Sequence, residues 1–357
     1  MSGEDIAVLG AGSYGTCLAV LFGNAGHRVS LYCRGTEAAQ AIDRARENTA
    51  YLPGHKLSDS VRVTSDLAEA VRAKRFVLGV TPSHGIREVL GAAAAAMDPD
   101  AILINASKGL EDGTLSSIDA VYRDVLPARI AARATYLSGP TFASELAAGM
   151  PAAIVLAGHD AETCAAAQLA LSHVHFRIYT TDDVLGVLLG GALKNVIAIA
   201  AGVSDGLGYG SNSRIALITR GLAEITRIGV ALGAHAQTFA GLSGMGDLVL
   251  TCSGDASRNR RVGLALGRGK SMTEILAEMT QVAEGVKTAK VGKELAAKIG
   301  VEAPIIDMMH AIMHAGVPVR EAITALLTRP TRSERDAERT TERTTDRATE
   351  RPERNQS

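Results

Sequence analysis

The sequence predicts an α/β chain in which a doubly wound, mainly parallel sheet precedes an all-helical domain. Three observations carry that reading. Up to about residue 185, short aliphatic runs alternate with Ala-rich segments of helical spacing, the rhythm of repeated strand–helix–strand units. Several of the runs are continuous Val, Ile and Leu rather than alternating apolar and polar, as strands covered on both faces require. Beyond residue 185 the strand pattern stops and only helical periodicity remains.

Taken in order, strands are expected at 5–10, 27–34, 61–64, 75–81, 101–107, 134–139, 152–158 and 176–180, with helices between them at 15–25, 84–97 and 160–173 among others. The helical part is expected to run through 185–203, 212–232, 236–241, 258–268, 271–279, 285–299, 304–315 and 318–326. The domains are therefore 1–185 and 186–329, followed by a tail at 330–357. From residue 331 the tail holds seven Arg and seven Asp or Glu with almost nothing apolar; a segment with nothing to bury is expected to be disordered.

Composition narrows the function. The 357 residues suffice for two cores, and with 3% aromatics and no Trp those cores must be aliphatic. A formal net charge of −1 offers no global basic field, which argues against nucleic-acid binding. The richest apolar segment, 185–203, is interrupted by Lys194, Asn195 and glycines. It falls short of the uninterrupted run of about 18–20 residues that suggests membrane insertion. The opening "MSGEDIAVLG" carries no export signal, and Cys17, Cys33, Cys164 and Cys252 form no CxxC pair. They read as buried thiols in a reducing, cytoplasmic compartment.

The first chemical constellation is "IAVLGAGSYGTCLAVLFGNAGHRVSLYCR". Gly10, Gly12 and Gly15 form G-x-G-x-x-G between a strand and a helix, with a second strand behind, which makes the first domain Rossmann-like. Gly10 permits the tight turn, Gly12 the approach of a pyrophosphate, and Gly15 close packing of helix on strand. The helix N-terminus offers its free N–H groups to the phosphates. At the tip of the second strand, where an acid would take the ribose of NAD, the chain has Cys33-Arg34-Gly35. Arg34 suits a 2′-phosphate and favours NADP(H), with NAD(H) open as well; the alternative is a solvated loop charge.

Lys108 in "INASKGLE", and Gly139 and Thr141 in "LSGPTFASELAAG", follow strands at the rim where open α/β sheets bind ligands. Lys194 sits in the apolar "LLGGALKNVIAIAAG". With Gly190, Gly191, Ile197 and Ala198 as helical neighbours, it has small residues that leave room for a ligand and apolar ones that lower the dielectric. Such an ammonium suits proton transfer to a carbonyl under reduction; the alternative is a lysine reaching out to solvent. Asn195 either orients its neighbour or satisfies a helix end. Asp247 in "GMGDL" is an acceptor for Lys194 or for a substrate hydroxyl. In "ASRNRRVG" Ser257 is a natural N-cap, and Arg258 and Asn259 lie in the first helical turn. Cations there are unfavourable unless an anion binds between them, which points to a phosphate on the substrate. Glu284 in "QVAEGVKTA" bonds a cofactor hydroxyl or caps the next helix. His310 and His314 share a helix face but lack a carboxylate or Cys companion, so no metal is expected. "HVH" at 173–175 would point to opposite faces of a strand and is assigned no role. These residues alone also leave room for a dehydrogenase of another hydroxy or keto acid. A nucleotide-sensing switch is disfavoured, because it needs no second anion pocket.

With "GAGSYGT", "TPSHGIREVL", "SKGLE", "LSGPTFASELAAG", "GALKNVIAIAAGVSDGLGYGSN", "GLSGMGDLVLTC", "SRNRRVG" and "VAEGVKT" in this order, the chain resembles the bacterial-type NAD(P)-dependent glycerol-3-phosphate dehydrogenases up to about residue 328. The resemblance implies reversible reduction of dihydroxyacetone phosphate to sn-glycerol 3-phosphate for phospholipid synthesis. It implies Lys194 as proton acceptor and Lys108, Gly139, Thr141, Lys194, Asp247, Ser257, Arg258 and Asn259 as substrate contacts. It further implies Ser13, Tyr14, Arg34, Lys108, Ala143, Arg258, Val282 and Glu284 as cofactor contacts; Ala143 and Val282 come from the resemblance alone. The family often has an aromatic residue where Cys33 stands. The charged tail has no counterpart in it. An apolar face on the helical domain fits a homodimer.

Overall fold

The computed structural model describes residues 3–279, 283–331 and 333. Val282 and the tail from residue 334, with the disorder expected of it, lie outside the described residues. The chain divides into two compact units, one holding the chain to Ala192 together with Ala240–Leu250, the other Leu193–Phe239 and the chain from Thr251 onward.

The first unit is built on an eight-stranded sheet of order β3-β2-β1-β4-β5-β6-β7-β8. Its strands are β1 (Asp5–Leu9), β2 (Arg28–Tyr32), β3 (Val61–Thr64), β4 (Phe76–Gly79), β5 (Ile102–Asn105), β6 (Thr135–Ser138), β7 (Ala152–Gly158) and β8 (Phe176–Thr181). Pairing is parallel from β3 through β6; β7 runs antiparallel to β6, with Tyr136 opposite Ala157, and β8 is parallel to β7. The order reverses beside β1, which pairs Ile6 with Val29 of β2 and with Phe76 of β4. In open α/β sheets the crevice at such a switch point takes the ligand.

Between the strands lie α1 (Ser13–Asn24), α2 (Thr36–Ala45), α3 (Leu67–Val71), α4 (Ile86–Ala93), α5 (Ile118–Val125), α6 (Ala128–Ala131), α7 (Ala143–Ala147) and α8 (Ala161–Leu171). Asp66, Ser117 and Asp160 start α3, α5 and α8 by accepting from backbone N–H groups of the first turn, the role expected of such side chains. Successive residues of β1 enter opposite cores. Ile6 and Val8 pack with Leu18 and Phe22 of α1, whereas Ala7 and Leu9 pack with Ile86, Leu90 and Tyr122 of α4 and α5. Burial on both faces is why the strands read as unbroken aliphatic runs.

The helical part continues with α9 (Val184–Gly206), α10 (Ser211–Ala231), α11 (Ala236–Ala240), α12 (Asp247–Ser253), α13 (Arg258–Gly267), α14 (Met272–Glu278), α15 (Glu284–Ile299), α16 (Pro304–His314) and α17 (Val319–Leu327). By length and composition α9 is apolar enough to cross a membrane, yet it is almost wholly buried within the protein. In the second unit Glu224 of α10, 3% exposed, accepts from the backbone N–H groups of Ile305 at 2.8 Å and Ile306 at 3.3 Å. It thereby caps α16. Burial pushes its carboxyl up to about 7 against the pull of these bonds.

Two local features went unassigned in the sequence. Residues 173–175 form a turn closed by backbone bonds between His173 and Phe176, not a strand, because the chain must reverse between α8 and β8. The glycine-rich run before Asp247 is a π-helical turn, Leu242–Gly246, leading directly into α12. It was not legible as helix because glycine disfavours one.

Candidate functional site

In the first unit, β1 ends on the glycine turn. Gly10 has φ +128, and a Cβ there would stand 2.8 Å from the Val80 carbonyl oxygen, so only glycine fits. A Cβ on Gly15 would stand 1.8 Å from the Gly10 oxygen, whereas one on Gly12 would meet nothing within 4 Å. Gly12 is the N-cap of α1 and, having no side chain, contributes no cap bond of its own. The N–H groups of a helix start beside open space at the switch point suit the pyrophosphate of a dinucleotide. Ser13, Tyr14 and Gly15 open the helix. The Thr141 hydroxyl donates to the Tyr14 oxygen at 3.1 Å, joining the glycine turn to the Gly-Pro-Thr turn after β6. Burial raises the Tyr14 phenol above its ordinary range, so it stays protonated. Ala143 begins α7 and packs, with Tyr14 and Ala147, against the core that α1 lines. Arg34 is exposed just beyond β2, and Cys33 beside it is half-buried.

Lys108 follows β5 across a knotted turn. Asn105 donates to the Ser107 carbonyl at 2.8 Å, Ser107 N–H returns a bond to Asn105 Oδ1 at 3.2 Å, and the Tyr122 hydroxyl donates to the same oxygen at 3.1 Å. Lys108 Nζ then reaches Asp247 Oδ2 at 2.5 Å and the Gly139 carbonyl at 3.3 Å. Lys108, Gly139 and Asp247 are thus brought together, and Lys108 is Asp247's partner within this unit. Neighbouring chain comes close to the α9 glycines. A Cβ on Gly190 would stand 2.9 Å from the Ser243 carbonyl oxygen, and one on Gly191 2.9 Å from Ser138 Oγ and 3.7 Å from the Lys108 stem. These glycines let neighbouring chain approach α9 closely.

In the second unit Lys194 is 5% exposed and donates to Thr251 Oγ1 at 2.7 Å. It is buried, not reaching out to solvent. Thr251 escaped the sequence reading; the available signal was its place one helical turn after Asp247 on α12. Ser257 caps α13 as expected, accepting from the Arg260 N–H at 3.2 Å. Arg258 is exposed in the first turn. Asn259 instead bridges inward: its Nδ2 donates to Asn195 Oδ1 and its Oδ1 accepts from the Gly285 N–H, both at 3.0 Å. Asn195 therefore supports a neighbouring helix start, and Glu284 is the first residue of α15, half-buried. Some of the positive charge at this helix start is met internally, because Arg260 pairs with Asp205 and Asp255, each at 2.7 Å. His314 Nε2 donates to the Val286 carbonyl at 2.8 Å, and His310 Nδ1 lies 3.3 Å from Lys293 Nζ. Among the described residues no group of three or more His, Cys, Asp or Glu side chains is placed to hold a metal ion.

Comparison with known proteins places this architecture. Residues 5–164 match the family described as NAD-dependent glycerol-3-phosphate dehydrogenase N-terminus, and residues 183–324 match the corresponding C-terminus. A protein of Geobacter sp. (strain M21) named glycerol-3-phosphate dehydrogenase (NAD(P)+) is 49% identical over 331 residues, covering 93% of this chain and 99% of that one. The protein of the same name from Myxococcus xanthus is 48% identical, covering 92% and 98%. The crystal structure of glycerol-3-phosphate dehydrogenase from Coxiella burnetii is 35% identical, covers 92% of this chain and 99% of that chain, and superposes with a TM-score of 0.86.

Proposed function

The chain belongs to the NAD-dependent glycerol-3-phosphate dehydrogenase family, and from that premise we propose that it is an NAD(P)-dependent oxidoreductase converting dihydroxyacetone phosphate and sn-glycerol 3-phosphate reversibly. Its role is to supply glycerol 3-phosphate for glycerophospholipid synthesis in the cytoplasm. The buried free thiols Cys17, Cys164 and Cys252 fit a reducing compartment. The observation that carries the reading is Lys194, an ammonium held in an apolar helix with a hydroxyl partner, Thr251, at 2.7 Å.

When bound, the nicotinamide cofactor supplies or accepts the hydride. The glycine turn and the start of α1 would hold its phosphates, with Ser13, Tyr14, Ala143, Val282 and Glu284 as further contacts. Arg34 would favour a 2′-phosphate on the adenosine ribose, with NAD(H) open as well. In the reducing direction Lys194 Nζ gives one proton to the ketone oxygen as hydride reaches its carbon, so the products are the secondary alcohol and a neutral amine. In the reverse direction the amine takes the hydroxyl proton. Thr251 fixes the ammonium in place. Lys108, Gly139, Thr141 and Asp247 orient the substrate's polar end, and Ser257, Arg258 and Asn259 at the start of α13 take its phosphate, where the helix dipole adds to the attraction.

The test is steady-state oxidation of NADPH and of NADH with dihydroxyacetone phosphate or ketopantoate, with reduction of NADP+ and NAD+ by 3-hydroxy acids in parallel. Turnover of dihydroxyacetone phosphate with at least one cofactor is expected. Absence of turnover with both, or preference for another acid, overturns the reading.

A further inference from the structure

The connection between α2 and β3, residues 46–60, carries none of the residues assigned above, yet it is built as a stiff strap. Arg46 adopts φ 50, a left-handed conformation unusual for a side-chain-bearing residue. Its Nη2 donates to the carbonyls of Ser58 and Val61, each at 2.6 Å. Glu47 pairs with Lys56 at 2.8 Å, and Leu52 and Leu57 are buried in the core that α1 lines. Near the start of this strap lies Asn48, 2% exposed. Its Nδ2 donates to the Ala11 carbonyl and to Thr16 Oγ1, both at 2.8 Å. A carbonyl can only accept, so the amino end of the amide must face the glycine turn.

We propose that Asn48 is a positioning residue for the pyrophosphate of the dinucleotide, an inference that rests on the cofactor reading above. The peptide unit is planar and trans, so its C=O and N–H point in opposite directions. Holding the Ala11 oxygen therefore turns the Gly12 N–H away from Asn48, and Gly12 borders open space. A peptide flanked by glycine flips readily when nothing holds it. A flipped unit would present a carbonyl where the phosphates need a donor. The second bond, to Thr16 in the first turns of α1, ties the helix start to the same anchor, so turn and helix move as one.

The experiment compares the full chain with Asn48→Ala and Asn48→Asp, by calorimetric titration with ADP-ribose, NADH and NADPH. Inhibition by 2′-AMP, which has no pyrophosphate, serves as the reference. The dissociation constants of all three pyrophosphate ligands are expected to rise together by about tenfold, the order of one lost hydrogen bond. The 2′-AMP inhibition constant and the KM of the ketone substrate should stay within about twofold of the parent. Asn48→Asp keeps the shape of the side chain and decides the matter if Asn48→Ala does not fold. ADP-ribose affinity unchanged in a folded variant, equal weakening of 2′-AMP, or failure of both variants to fold would each overturn the proposal. If the parent itself binds neither ADP-ribose nor NADPH, the cofactor reading falls with it.

Discussion

The ammonium of Lys108 and the carboxylate of Asp247 stand 2.5 Å apart, although 139 positions separate them in the chain. Asp247 is 2% exposed and the Lys108 side chain 20%. Removing one partner of such a pair strands the other charge where water cannot solvate it fully. We expect Lys108→Ala or Asp247→Ala to lose about 2–3 kcal/mol of stability, read by denaturant titration. The pair Lys108→Met with Asp247→Leu should recover most of that loss while remaining inactive. Full stability in both single variants would mean the ion pair contributes nothing.

Lys194→Ala should reduce turnover of dihydroxyacetone phosphate by about two to four orders of magnitude, the usual worth of a positioned general acid. Its dissociation constants for NADH and NADPH should stay close to the parent's. Thr251→Val should lie between the two in turnover. Near-parental turnover in Lys194→Ala removes the lysine from the chemistry.

Glu224 gives a pH dependence of defined sign. Its carboxyl, ordinarily at 4.5, is raised to about 7 by burial, so the folded state holds the proton more tightly than the unfolded one. The stabilising contribution is complete below pH 4.5 and is lost as pH rises through 7. The difference amounts to about 3 kcal/mol. Glu224→Gln keeps an acceptor for the Ile305 N–H without titrating. Chemical denaturation at pH 5 and pH 8 should show the parent losing stability relative to this variant. Parallel behaviour at the two pH values would exclude the buried acid as the cause.

Gly191→Ala would press a methyl group against Ser138 Oγ, which lies 2.9 Å from its ideal position. Overpacking of this kind costs about 1–3 kcal/mol. Since the nearest obstructing atom is a hydroxyl oxygen, Ser138→Ala in the same chain should restore much of the loss in thermal melting. A destabilisation that the second substitution leaves untouched would place the clash elsewhere.

The sheet was legible because strands such as Phe76–Gly79 and Ile102–Asn105 are short aliphatic runs buried on both sides, a pattern written in neighbouring residues. The glycine turn, Ser257 as a cap and Lys194 in an apolar helix were legible for the same reason. The inward bridge of Asn259, and Asn48 altogether, were not, because the partners lie 64 and 37 residues away along the chain. Nothing periodic in a sequence announces an amide that will reach a distant carbonyl. The turn at 242–246 went unread because its glycines, poor helix formers alone, are supported by the close approach of Ser243 to Gly190.

The reversal of β7 has a directional consequence. Strands β1 to β6 all finish at one rim, but β7 and β8 finish at the opposite one. The helix leaving β8 must therefore travel back over the sheet. Val184, Val187 and Leu188 grip the core on the way, and Gly191 arrives beside Ser138, the last residue of β6. Had β7 run with its neighbours, the same helix would depart from the rim it now approaches. A single inverted strand sets the compass heading of α9, and Lys194 rides three residues further along it.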